Sequence, residues 1–261
     1  MLIDANAYIG HWPFRKMNYN TCAKLLNRMD KHGVNQSIVS NLNGVFYKNV
    51  QSANEELFDD IQSNKAFRNR FIPFAVINPV YNGWEDDFET SINQMGMKGI
   101  RLYPKYHRYA LDHVSCIETV KKAREKNIPV ALDLRMVDSR PSSWLDIDKE
   151  WLLKDVMPII KAVPDAKYLI VNVANSVSLR EEDLALMKKA QVLMDTSGRT
   201  MNTLPALMQV FGQNKFCFGT HSPLFDDITG LLRIESLREE EANEEEKNGL
   251  RYKNIQQLLS T

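Results

Sequence analysis

The amino-acid sequence predicts an α/β protein, a (β/α)₈ barrel, and three observations predict it. Eight short apolar or β-branched runs recur along the 261 residues, and segments of helical periodicity separate most of them. No glycine-rich nucleotide-binding loop follows any run, which removes the usual signal of a dinucleotide- or triphosphate-binding sheet. With 44% apolar side chains the chain can bury one large core, and barrels of roughly 250 residues commonly form one domain. A single domain over residues 1–261 is therefore expected.

The strand runs are Leu2–Ala7, Gln36–Asn41, Phe71–Asn78, Gly99–Tyr103, Pro129–Arg135, Tyr168–Val173, Val192–Thr196 and Lys215–Thr220. The amphipathic stretches lie around Cys22–His32, Ala53–Asn64, Trp84–Met95, Val114–Lys126, Lys149–Ala162, Glu181–Ala190 and Thr203–Phe211. Eight such units close into a barrel more readily than they form an open sheet. The Glu-rich run Arg238–Lys247 reads as a solvated helix or loop.

Lys+Arg and Asp+Glu balance at 33 each, so no net field concentrates nucleic acid or an anionic membrane, and a small molecule is the expected partner. Cys22, Cys116 and Cys217 are odd in number and share no C-x-x-C spacing, which argues against a disulfide framework or a structural zinc. They read as free thiols in a reducing cytoplasm. No basic and apolar leader opens the sequence and no stretch of about 20 apolar residues occurs. A cytoplasmic protein is expected, with self-association into a homo-oligomer left open.

In such barrels the chemistry sits where strands end and βα loops begin. The first strand supplies Asn6 and Tyr8, followed by the loop His11-Trp12-Pro13-Phe14-Arg15; the fourth supplies Arg101 and Tyr103; the fifth, Asp133 and Arg135. The sixth gives Asn172 and Asn175, the seventh Asp195 and Arg199, and the eighth ends in Gly219-Thr220-His221-Ser222-Pro223.

Ile3-Asp4-Ala5-Asn6-Ala7-Tyr8-Ile9-Gly10 resembles the I-D-x-H-x-H-x-G first strand of amidohydrolase-related proteins, a group that includes decarboxylases and hydrolases of small carboxylated substrates. Gly96-Met97-Lys98-Gly99-Ile100-Arg101-Leu102-Tyr103-Pro104 is similar to that group's fourth strand, G-x-x-G-[IV]-[KR]-L-x-P. Gly219 to Pro223 resembles its eighth, G-[TS]-D-x-P, and Lys253 to Leu259 its closing N-A-x-x-L helix. The resemblance runs from end to end and implies a metal-dependent-hydrolase-like barrel.

The departures fall on the metal ligands. Asn6 and Tyr8 stand at the His-x-His of the group, Asp133 at the fifth-strand histidine, Asn172 at the sixth-strand histidine and His221 at the eighth-strand aspartate. An Asn carbonyl is a poor substitute for imidazole or carboxylate toward zinc and similar ions. The expected cofactor is therefore none, with a weak divalent site through His221 and Asp133, joined by His11, as the lesser reading.

Each position also has a purely structural reading. Asn6 and Asn172 can bond neighbouring strand ends, and Asp133 and Arg135 can pair with other strand-end charges. His221 leans toward function, since an imidazole titrating near neutrality moves protons without a metal. His107, three residues past Pro104, can reach the mouth, and His113 reads as a surface residue. His32 favours a helix C-terminus. Trp12, Phe14 and Arg15 offer an apolar wall and a planar cation for an aromatic carboxylate, or equally a plug of the barrel mouth or a dimer interface.

The leading functional expectation is a hydrolase or decarboxylase of a small carboxylate working without the metal centre, with His221 and Asp133 as catalytic residues. Asn6, Tyr8, His11, Arg15, Arg101, Tyr103, His107, Arg135, Asn172 and Arg199 are its expected substrate contacts, because several guanidinium forks around one mouth match carboxylate geometry. The competing expectation is an inactive barrel that binds a small ligand or serves as a scaffold.

Overall fold

A computed structural model describes residues 1–137, 151–173, 177–198 and 204–260. Its eight parallel strands are β1 (Ile3–Ile9), β2 (Gln36–Asn41), β3 (Phe71–Val76), β4 (Gly99–Leu102), β5 (Val130–Asp133), β6 (Lys167–Val171), β7 (Gln191–Asp195) and β8 (Phe216–Cys217). Each pairs with its sequence neighbour in the order β1 to β8. Past β8 the chain returns to β1. Ala5 N–H donates to Phe218 O at 2.9 Å, His221 N–H to Asn6 O at 2.7 Å and Tyr8 N–H to Ser222 O at 2.8 Å. Those bonds bring the two ends of the sheet together as a barrel.

Period-2 alternation sorts the strand side chains. Ile3, Ala5, Ile38, Phe74, Ala131, Leu169, Leu193 and Cys217 face one another inside, and Ile255 and Leu258 of the helix Asn254–Leu259 join that cluster. Val39, Ala75, Ile100, Val130, Leu132, Ile170, Val192 and Met194 belong to a second, larger cluster with helix residues such as Leu25, Leu57, Phe88 and Val120. The aromatic and aliphatic side chains Tyr8, Trp12, Leu42, Val45, Tyr103 and Met136 form a third cluster at the strand ends.

The structure redraws several sequence boundaries. Regular pairing in β8 covers two residues, where the sequence predicts Lys215–Thr220, because the chain past Cys217 leaves β7 to bond β1. The predicted helix Trp84–Met95 is α-helical over Trp84–Glu89 and π-helical over Thr90–Gln94. The Glu-rich run overlaps the helix Glu244–Asn248, which starts at a capping box between Asn243 and Glu246 and has no buried residue. All three cysteines are buried and free, and no helix among the described residues is long and apolar enough to cross a membrane.

Candidate functional site

The strand ends converge on a buried polar ring. Asp4 ties β1 to the end of β8, accepting from Thr220 N–H at 2.9 Å and from the Thr220 hydroxyl at 2.7 Å. Two residues on, Asn6 is fully buried and uses its whole amide. Its Nδ2 donates to Asp195 Oδ2 at 2.8 Å, faces His221 Nδ1 at 2.8 Å and lies 3.3 Å from Ser197 Oγ. Its Oδ1 accepts from Arg101 Nη1 at 2.9 Å. Arginine only donates, so the amide orientation follows from its neighbours.

Arg101 lies at the centre, fully buried. Nη1 donates to the Tyr8 hydroxyl at 2.5 Å and lies 3.3 and 3.4 Å from the Asp133 oxygens, while Nε donates to Ser40 Oγ at 3.1 Å. The guanidinium carbon stands 4.5 Å from the centre of the Tyr8 ring. Tyr8 in turn donates to Asp133 Oδ1 at 2.5 Å. Burial pushes the Asp133 carboxyl up to about 6, against the opposing pull of Arg101 and the Tyr8 hydroxyl.

His221 corrects an expectation. Its Nε2 lies 2.8 Å from the Met136 carbonyl oxygen, which can only accept, so Nε2 carries the proton and Nδ1 accepts from Asn6. Both ring nitrogens are engaged inside the protein. Burial, with repulsion from Arg101, Arg135 and Arg15 beside it, lowers the imidazole to about 3. The near-neutral titration that the sequence suggests is therefore absent. Its backbone φ of 57° turns the chain at this point, and the ring packs edge-on against Tyr8 at 5.1 Å.

A second pair lies beside the ring. Arg135 Nη2 donates to Asn172 Oδ1 at 3.0 Å, Asn172 Nδ2 donates to the Arg135 carbonyl at 2.5 Å, and Asn172 N–H donates to Asp195 Oδ1 at 2.7 Å. Asp195 thus links β6, β7 and β1, and burial raises its pKa.

Of the sequence-predicted site residues, Asn6, Tyr8, Arg101, Asp133 and His221 share one ring, Asn172 and Arg135 adjoin it, and Tyr103 is buried beside Arg101. Three expected contacts stand apart from the hydrogen bonds of the ring. His11 is exposed, and Arg15, also exposed, donates to the Leu224 carbonyl while its charge bears on His221. His107 does not join the strand-end ring, because its Nε2 bonds the Gly44 carbonyl at 3.1 Å; burial lowers it to about 4. Arg199 and Asn175 lie outside the described residues. Sequence reading gave no role to Asp4, Ser40 or Ser197, and Asp195, though noted as a strand-end residue, was not among the expected contacts. His113 caps the helix Val114–Glu125.

The ring does not suit a divalent ion. His221 has no nitrogen lone pair to spare, the one Asn6 carbonyl oxygen is taken by Arg101, and a fixed positive charge lies among the oxygens. Among the described residues no three His, Cys, Asp or Glu side chains are grouped to hold a metal.

Among the described residues the space above the ring is narrow. The space bounded by Tyr103, Lys105, Tyr106, Asp133, Arg135 and Met136 is about 10 Å³, the size of one water. Trp12, Phe14, Phe46 and Tyr106 pack edge to face at 5.1–5.9 Å near it, as a plug of the mouth would. A separate cleft of about 580 Å³ is lined by Lys154, Lys161, Arg180 and Asp183 among others, and among the described residues it shares none with the mouth.

No protein-family model matches the chain, and no curated protein is similar to it in sequence. Solved structures are similar to it in fold. They include 2,6-dihydroxybenzoate decarboxylase from Rhizobium (13% identity, 99% of this chain and 98% of that one, TM-score 0.72). A dihydroxybenzoic acid decarboxylase from a Polaromonas species, with bound manganese and the inhibitor 2-nitroresorcinol, matches at 14% identity over 99% and 96% of the two chains, TM-score 0.73. An amidohydrolase II matches at 15% identity over 100% of both, TM-score 0.76. The structural neighbours are thus amidohydrolase-superfamily enzymes, carboxy-lyases among them. They share the barrel with this chain.

Proposed function

We propose that this chain is a hydrolase or carboxy-lyase acting on a small, aromatic carboxylate without a divalent metal, and that Asp133 rather than His221 handles the proton. The observation that carries this reading is the placement of Asp133. It is the acidic group that both belongs to the buried ring and lines the opening, next to Arg135. A carboxyl near 6 is available in both protonation states close to neutrality. In a decarboxylation its acid form delivers a proton to the carbon that carbon dioxide leaves; in a hydrolysis its ionised form takes one from water. Arg135 offers the cation for the substrate carboxylate, and the aromatic cluster around Trp12 offers a wall for a ring. The dihydroxybenzoate decarboxylases of the same fold support the substrate class.

The test is a panel of aromatic carboxylates and their amides, 2,6-dihydroxybenzoate included, assayed in chelator for product release and for a rise in melting temperature. Turnover or a shift with carboxylates only, lost in Asp133→Asn, is the expected result. A second reading, an inactive barrel that binds a small ligand or serves as a scaffold, has its own observation: among the described residues, a space no larger than a water and a histidine with both nitrogens engaged. It predicts no turnover with any member of the panel.

A further inference from the structure

The unusual element of the ring is the way Arg101 is used. A buried arginine that serves as half of a salt bridge presents its fork to a carboxylate, two N–H groups to two oxygens. Here a single nitrogen, Nη1, faces three side chains at once. It is 2.9 Å from Asn6 Oδ1 and 2.5 Å from the Tyr8 hydroxyl, whereas both Asp133 oxygens are farther, at 3.3 and 3.4 Å. The neutral oxygens are held more closely than the charged ones. The guanidinium is thus the centre of an oxygen shell drawn from β1 and β5, fixed from behind by Ser40 on β2 and from below by the Tyr8 ring.

We infer that the Arg101 guanidinium is the resident cation of the barrel mouth, a positioning residue that orients Asn6, Tyr8 and Asp133 in the manner of a bound metal ion and leaves the site no use for one. The donor set agrees. Asn6 and Tyr8 offer one neutral oxygen each and Asp133 the carboxylate that faces Arg101, while Asp195, the next carboxylate, is taken up by Asn6 and the Asn172 amide. A divalent ion placed among these oxygens meets the fixed charge of Arg101 in a buried setting, where repulsion is weakly screened. The remaining neighbour, His221, is neutral and turns to Asn6 and Met136. The assignment does not depend on turnover, and its tests read no activity.

Two experiments decide it. In the wild-type protein, equilibrium dialysis against Mn²⁺ and Zn²⁺, and melting with and without EDTA, are expected to show well under one equivalent bound and an unchanged melting temperature. One equivalent of Mn²⁺ with a raised melting temperature, lost in Asp133→Asn, overturns the inference. The second experiment uses Arg101→Ala, expected to melt several degrees lower and to recover part of that loss in tens of millimolar guanidinium chloride. Urea, of nearly the same shape but neutral, is the control and is expected to give no recovery. Recovery with both solutes or with neither, or a variant as stable as the wild type, shows that Arg101 only fills space. If Arg101→Ala does not fold, the wild-type metal titration gives the answer alone.

Discussion

The Asn6 amide N–H donates to His221 Nδ1 at 2.8 Å, and the opposite nitrogen of that imidazole is bound to the Met136 carbonyl at the same distance. An imidazole satisfied on both sides, fully buried, joins the first strand to the last and to the end of β5. Its expected contribution is to stability before chemistry. His221→Asn keeps a residue tolerant of the φ of 57° while removing at least one of these bonds. The expected loss is about 2–4 kcal/mol by urea unfolding at pH 7, from an unsatisfied Asn6 amide or Met136 carbonyl plus lost packing. A loss below about 0.5 kcal/mol shows that the ring is no anchor.

The same histidine sets a pH dependence with a definite sign. The folded-state value of about 3 lies below the ordinary 6.5, so between those limits the unfolded chain binds the proton and the native chain does not. This contribution is complete above about pH 6.5 and falls away as the pH drops toward 3. The wild type should therefore lose up to about 1.4 kcal/mol per pH unit relative to His221→Asn in that window. Asp4 and Asp133, both raised to about 6, act with the opposite sign: their contribution is complete below about 3.8 and disappears as the pH rises through 6. They are common to both proteins, so the difference between wild type and variant isolates the histidine. A pH-independent difference contradicts the buried neutral assignment.

Asp133→Asn separates the structural from the catalytic share of the ring. Asparagine keeps an acceptor for the Tyr8 hydroxyl but leaves Arg101 without its balancing charge, with Asp133 and Arg101 side chains 1% and 0% exposed. Removing one partner of a buried ion pair costs about 3–5 kcal/mol. If Asp133 transfers the proton, kcat falls by roughly 10²–10⁴-fold as well, the usual worth of a positioned acid or base. Destabilisation with unchanged kcat, measured well below the melting temperature, removes Asp133 from the chemistry.

The barrel was legible because its cause is periodic. Alternating runs such as Gln36–Asn41 and Gly99–Leu102 expose their pattern residue by residue, and the observed strands fall on them. Which residues reach the strand ends was legible for the same reason, since β1 and β4 place Asn6, Tyr8 and Arg101 where the sequence puts them. What each does was not. His221 in G-T-H-S-P carries no mark of its burial or of Met136, which lies 85 positions away and supplies only a backbone carbonyl. Ser40 and Ser197 give no signal, because small hydroxyl residues at a strand end look like any turn. His107 follows Pro104 by three residues, but that spacing does not show that the short helix Pro104–His107 brings its ring to the Gly44 carbonyl.

Gly219 tests how tightly the ring constrains the backbone around it. A Cβ built there stands 2.4 Å from Asp195 Oδ2 and 2.7 Å from Asp195 Cβ, distances that real Cβ atoms do not show. Asp195 cannot retreat without loss, since its two oxygens hold Asn172 N–H at 2.7 Å and Asn6 Nδ2 at 2.8 Å. Gly33 provides the contrast, with a φ of 69° and nothing within 4 Å of its Cβ. Gly33→Ala is thus expected to cost about 1 kcal/mol from backbone conformation alone and to leave the mouth untouched. Gly219→Ala, by overpacking, should cost about 1–3 kcal/mol or more. It should also speed hydrogen exchange at the Asn172 amide, which Gly33→Ala leaves protected, because the acceptor of that amide is the group displaced. Equal protection of Asn172 in both variants would mean that Asp195 moves freely, and that the ring is looser than its distances imply.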